Sequence, residues 1–323
     1  MKKTALSVFI LTIWATGFSQ TLSFKFGTPF RRTDLDVRWN VPSNSLPASV
    51  SSYRMLPNRF SPEIISNVMA LCSFTTKERT RRDTNWLVFE TPDHTRRLGF
   101  FFPSGSIEYQ TPEIYSPTNL VRAVPSEAEL RKLVPDFLPK LGIHVSDIDR
   151  QENGKPDLRV FDSEIMFAVN HAIITNTVYR GIRFRRNVEG LSFTGGGSGG
   201  DCEVHFGDHG KVAMMSLSWR TIEHYKRYAT ASPETLANWI RQGKAVMNML
   251  PGDIPGIDWS AVKSLTVKKA QLCCYAGEPF KPSDWLMPFV AFMATVDTGD
   301  RTLDLEIDCP IADQSKPMKG TNP

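Results

Sequence analysis

Apolar and polar positions alternate most cleanly between Val212 and Thr221. Ala213, Met215, Leu217 and Trp219 fall on one side, and Val212, Met214, Ser216, Ser218 and Arg220 on the other. Successive strand side chains point to opposite faces, so this run predicts a strand with one apolar face. Before it, Val204 and Phe206 alternate with Glu203 and His205. Gly207-Asp208-His209-Gly210 joins the two runs and predicts a hairpin turn, because glycine takes up positive φ without steric cost. Upstream, Ile182 and Phe184 alternate with Arg183 and Arg185 and predict a third strand. The period then changes. Leu236, Trp239, Ile240, Val246, Met247 and Leu250 fall near one face of a 3.6-residue repeat. Ser232 is a helix cap, Pro233 fits the first helical position, and Glu234 meets the positive end of the helix dipole. Gly243 interrupts this helix, and Pro251-Gly252 ends it.

The same grammar runs along the rest of the chain. Ser61-Pro62-Glu63 repeats the helix start, with Ile64, Ile65, Val68, Met69 and Cys72 as its apolar stripe. Strands around Trp86–Glu90, Leu98–Phe102 and Ile107–Tyr109 follow, separated by turn residues. Ser126 caps a second helix carrying Leu130, Leu133, Val134, Phe137, Leu138 and Leu141. Pro135 and Pro139 predict a kink in it, and Gly142 its close. Near the C-terminus the predicted strands are Lys263–Cys274, Leu286–Val296 and Thr302–Ile307, with Asp297–Asp300 as a hairpin turn.

These patterns predict an α+β fold of two to three helix-plus-antiparallel-sheet units. The expected division is a leader over 1–19, an extended, loosely structured segment over 20–60, units over 61–120, 121–230 and 231–312, and a disordered polar tail over 313–323. Residues 222–231 read as a polar bridge. The glycine-rich run Gly195–Gly200 has no side chains to pack and predicts a mobile loop.

The leader changes the functional picture most. Met1-Lys2-Lys3 is basic, Ala5–Ala15 is apolar, and small residues Gly17 and Ser19 precede Gln20. That is the pattern of a secretory signal peptide cleaved after Ser19, and the apolar run is shorter than a membrane-spanning helix requires. The expectation is a secreted or periplasmic protein without an integral membrane anchor. Net charge is +4, which does not favour nucleic acid as a partner. Five cysteines, Cys72, Cys202, Cys273, Cys274 and Cys309, leave one over if disulfides form; a bridge from Cys309 to Cys273 or Cys274 is conceivable from their flanking strands.

The local patterns Tyr179-Arg180-Gly181-Ile182, Phe206-Gly207-Asp208-His209-Gly210-Lys211-Val212 and Trp285-Leu286-Met287-Pro288-Phe289-Val290 resemble exported bacterial PepSY-type modules and the related YycI-like regulatory proteins. The resemblance covers residues 126 to 311. It implies small PepSY/cystatin-like α+β modules outside the cytoplasm that bind or inhibit proteins such as peptidases, or modulate sensor kinases. It brings no catalytic residues with it. The chain departs from the membrane-anchored members in showing no retained anchor, which weighs against a sensor-kinase role.

No motif for a cofactor or metal stands out. His205 and His209 flank a turn near Asp201, Glu203 and Asp208, but no third histidine lies close. The glycine run lacks the Gly-Lys-Ser/Thr ending of a phosphate loop. Cys202 and His205 lie three apart on a predicted strand and so face opposite ways. A Ser-His-Asp arrangement has no Gly-x-Ser-x-Gly elbow to announce it. Arg183, Arg185, Arg220 and Tyr225 are the candidate partner surface, since arginine and tyrosine are enriched at interfaces. The expected function is a non-catalytic exported binding, inhibitory or regulatory protein working through sheet faces and loops, its partner a protein in the cell envelope. The alternatives are a secreted hydrolase with an unrecognised site and a cell-envelope structural protein.

Overall fold

A computed structural model describes residues 22–25, 34–42, 45–58, 60–75, 78–111, 123–169, 172–194, 200–249, 261–275 and 284–317. The predicted leader and Gly195–Gly199 lie outside the described residues. In chain order the elements are β1 (Leu22–Lys25), β2 (Asp36–Trp39), β3 (Ser49–Leu56), α1 (Pro62–Leu71), β4 (Arg79–Arg82), β5 (Trp86–Glu90), β6 (Arg97–Phe101), β7 (Ser106–Gln110) and α2 (Glu127–Phe137). Next come β8 (Arg159–Val169), β9 (Ala172–Arg185), β10 (Asn187–Val188), β11 (Leu191–Thr194), β12 (Gly200–Phe206), β13 (Val212–Trp219), β14 (Thr221–Thr230) and α3 (Pro233–Arg241). The chain continues with β15 (Val246–Met249), β16 (Ser264–Tyr275), β17 (Trp285–Asp297), β18 (Thr302–Pro310) and β19 (Ala312–Pro317).

The expected α+β chain of PepSY/cystatin-like helix-plus-meander units is corrected by this architecture. The described residues are mostly strand, in one 8-stranded and one 11-stranded sheet, with only three α-helices. Strands pair across the predicted units, which explains the difference. In β7 and β13, Tyr109 lies opposite Met215 and Ile107 opposite Leu217, so the early meander and the central hairpin form one sheet. Its order is β4-β5-β6-β7-β13-β12-β9-β8. The chain divides into two compact units. The first holds Asn58–Arg185 and Asp201–Trp219; the second holds the described residues up to Pro57, then Arg186–Gly200 and Arg220 onward. The units are therefore interleaved in sequence, and the boundaries expected at 61, 121 and 231 do not separate them.

In the first unit, α1 and α2 cover one face of the 8-stranded sheet. Both start as their sequences dictate. Ser61 Oγ accepts from the Ile64 N–H at 3.2 Å, while Ser126 and Glu129 form a reciprocal capping box, which satisfies otherwise orphaned N–H groups. Pro135 sits inside the last turn of α2; a 3-10 turn at Pro139–Leu141 follows, and Gly142 closes it at φ 72°. Val68, Leu130, Val134 and Phe137 pack with Leu98, Phe100, Ile107, Ile182, Phe184, Val204, Met215 and Leu217. Leu98, Phe100 and Ile107 are wholly buried, each stabilising by about 1.5–3 kcal/mol relative to exposure. Leu133, expected on the buried side, is exposed.

In the second unit, the 11-stranded sheet follows the path β1-β15-β18-β17-β16-β11-β10, with β2 beside β16 and β3 linking β17 to β14. Three expectations are corrected here. The 20–60 segment contributes β1, β2 and β3. The polar bridge is β14, paired with β3 on one side and β19 on the other. Residues 313–317 of the predicted disordered tail belong to β19. Helix α3 starts at Ser232 as predicted, then stops at Arg241, with Gly243 at φ 72°. Val246 and Met247 are accordingly strand residues of β15, opposite Asp308 and Ile307 of β18. Leu236 and Ile240 of α3 pack with Val267, Val290, Phe292 and Ile307.

Candidate functional site

The four predicted surface residues divide between the two units. Arg183 and Arg185 belong to β9 in the first unit, and Arg220 and Tyr225 to the second. Their surroundings also differ. Arg183 donates to Asp201 at 2.9 and 3.3 Å, and Arg185 lies opposite Asp201 in the register. Arg220 is a correction to the surface expectation. Its side chain is 1 % exposed, and it donates to the Met55 carbonyl at 2.7 Å, the Leu56 carbonyl at 3.4 Å and Asp284 at 3.1 Å. It ties β3 to the start of β17 instead of facing solvent. Strand alternation alone placed it opposite Trp219, toward solvent; the break between β13 and β14 falls at this residue and turns it inward.

Tyr225 is exposed, and it has a partner absent from the sequence reading. Its ring lies 4.5 Å from that of Trp285, also exposed, at an interplanar angle of 55°. The Lys226 ammonium sits 4.8 Å from the Tyr225 ring centroid. A register shift between His224 and Lys226 leaves Tyr225 as the extra residue on β14; such a bulge re-aims a side chain. Arg54 of β3 pairs with Glu223 on one side and Trp285 on the other, so charged residues flank the rings. Four large hydrophobic residues are exposed among the described residues, Leu133, Val145, Tyr225 and Trp285, and the last two touch.

A second constellation lies on the face of the 8-stranded sheet away from the helices. Across β8, β9 and β12 the register aligns Phe161, Gly181 and His205, and beside them Arg183 with Glu203. His205 is buried. Its Nε2 is 2.7 Å from Glu203 Oε1, and its Nδ1 is 3.5 Å from Ser163 Oγ. The Phe161 ring meets the imidazole edge-on at 5.1 Å. Burial pulls the Glu203 pKa up, but the hydrogen bond and charge of His205 and the charge of Arg183 outweigh it, and the carboxyl ends below its ordinary value. Strand alternation had joined Glu203 and His205 on one face and set Cys202 on the other, where the structure puts them. Ser163 could not be found that way, since β8 is brought alongside only by pairing with β9.

His209 stands apart, exposed, with Nε2 3.8 Å from Asp208. Among the described residues, no group of three or more His, Cys, Asp and Glu side chains is arranged to hold a metal ion. No helix among them is long and apolar enough to cross a membrane. All five cysteines are buried and free. Cys273 lies opposite Phe289 of β17 and Cys309 opposite Val290, so a whole strand separates them, about 10 Å at the usual spacing. Burial pushes every thiol up, with Cys274 raised to about 12, so they stay protonated and unreactive.

No family model matches the chain, and no curated protein matches it. Among solved structures, the crystal structure of an uncharacterized protein from Eubacterium rectale ATCC 33656 is similar, with a TM-score of 0.47 and 8% identity over 90% of this chain and 92% of that one.

Proposed function

We propose that the protein is an exported binding protein of inhibitory or regulatory kind, and that the Tyr225–Trp285 face of its second unit meets a protein partner in the cell envelope. The observation that carries the reading is the exposed pair of rings in mutual contact, flanked by Arg54, Glu223 and Lys226. Two large rings held partly in water lose apolar burial that a partner would restore. Aromatic anchors ringed by charged residues are the usual source of interface energy, each contributing about 2 kcal/mol or more when fully covered. The basic-apolar leader pattern supports export.

Affinity purification of envelope proteins on the wild-type chain and on the Tyr225→Ala/Trp285→Ala variant tests the reading. The expected result is a partner retained at least about 10-fold less on the variant, as loss of a single hot spot implies. Equal recovery on both, with the variant folded by circular dichroism, overturns it.

A further inference from the structure

We propose that Ser163, His205 and Glu203 form a nucleophile, base and carboxylate relay that hydrolyses small uncharged acyl esters. This is an activity separate from the binding face, and it departs from the expectation of a chain without catalytic residues. The geometry assigns the roles. Glu203 holds Nε2 of His205 at 2.7 Å, which fixes the proton on that nitrogen and leaves Nδ1 as an acceptor. Nδ1 lies 3.5 Å from Ser163 Oγ, within the looser reach usual before substrate binds. Arg183, 4.0 Å from Glu203 and bonded to Asp201, keeps the carboxylate ionised. Phe161, edge-on to the imidazole, supplies an apolar wall. Ser163 is only partly buried and lies on β8, the terminal strand of its sheet. It also sits at a register shift, facing Tyr179 while Glu164 faces Thr177, and such irregularities recur beside active sites.

The chemistry balances with water as the second reactant. Ser163 Oγ attacks the ester carbonyl while its proton passes to His205 Nδ1. The carbon–oxygen bond to the leaving group breaks, and that oxygen takes the proton and departs as an alcohol. Water then attacks the acyl-serine, giving its proton to His205. Ser163 Oγ leaves with that proton, and the carboxylic acid is released. Ser163 and His205 act as catalytic residues, and Glu203 is a positioning residue that sets the tautomer.

The test uses the full chain with a fluorophosphonate probe and with p-nitrophenyl acetate. A single phosphonyl adduct on Ser163 is expected by peptide mass spectrometry, absent in Ser163→Ala. Labelling should slow by about 100-fold or more in His205→Gln, the scale of lost general-base catalysis. Glu203→Gln should reduce the rate and displace its pH profile, whereas a purely structural role would leave the profile in place. Since His205 is buried, Ser163→Ala serves as the decisive variant, its fold checked by circular dichroism. No adduct on Ser163 in the folded wild type, or p-nitrophenyl acetate turnover equal in Ser163→Ala, overturns the proposal.

Discussion

Gly181 is where the packing of the first unit can be tested most sharply. It lies between Phe161 of β8 and His205 of β12, and the Phe161 ring occupies the space above it. A Cβ built there would lie 2.1, 2.5 and 2.7 Å from three ring carbons, closer than atoms can approach. Gly181→Ala therefore forces Phe161 off its site beside the imidazole. Overpacking of this kind costs about 1–3 kcal/mol, and alanine regains about 0.5–1 kcal/mol over glycine in a strand. The net expectation is a loss of about 1–2 kcal/mol, read by urea unfolding followed by circular dichroism. Without the ring the clash vanishes, so in a Phe161→Ala background the same substitution should be neutral or slightly stabilising. A double-mutant cycle then gives a coupling of about 1–3 kcal/mol, the overpacking cost itself. An equal effect of Gly181→Ala in both backgrounds, with coupling under about 0.5 kcal/mol, would refute the packing described.

Other consequences are as direct. Arg220→Ala removes the donor to the Met55 and Leu56 carbonyls and should cost about 3 kcal/mol, measured by urea unfolding; a change below about 0.5 kcal/mol would place Arg220 in solvent after all. Iodoacetamide under native conditions should leave all five buried cysteines unmodified and alkylate all five in denaturant, counted by intact mass; rapid native labelling would contradict their burial. Glu203 has a folded pKa below its ordinary 4.5. Its contribution to stability is therefore complete above that value and is lost as pH falls through the depressed folded pKa. Glu203→Gln should flatten the acid limb of stability against pH below about 4.5, and an unchanged limb would show that the ion pair is not formed.

Local structure was legible wherever the chain announces it alone. The three Ser-led helix starts, the hairpin turns at 207–210 and 297–300, and the alternating strands around 212–219 and 302–307 appear where the pattern puts them. Each depends on neighbours within a few residues. What the pattern hid was pairing over distance. Strand β14, Thr-Ile-Glu-His-Tyr-Lys-Arg-Tyr-Ala-Thr, is largely exposed, so its polar side chains mask its place beside β3. Strand β3 itself is interrupted by serines, one of them, Ser52, fully buried with its hydroxyl on the Lys226 carbonyl. The same limit applies to the sites. Tyr225 was singled out by residue type, and the structure shows it exposed, whereas Trp285, 60 positions later by their numbers, joins it only through the β3 bridge between β14 and β17. Glu203 and His205 followed from alternation, and Ser163 required the β8–β9 register.

The account rests on the Tyr225–Trp285 face being the surface that partners meet. A photo-cross-linking amino acid placed in living cells at Trp285, with Leu133 as the exposed control position on α2, tests this most directly. The account predicts a discrete higher-mass product from position 285 and none from position 133. Products of equal yield from both positions, or none from 285 while the chain is folded and exported, would contradict it.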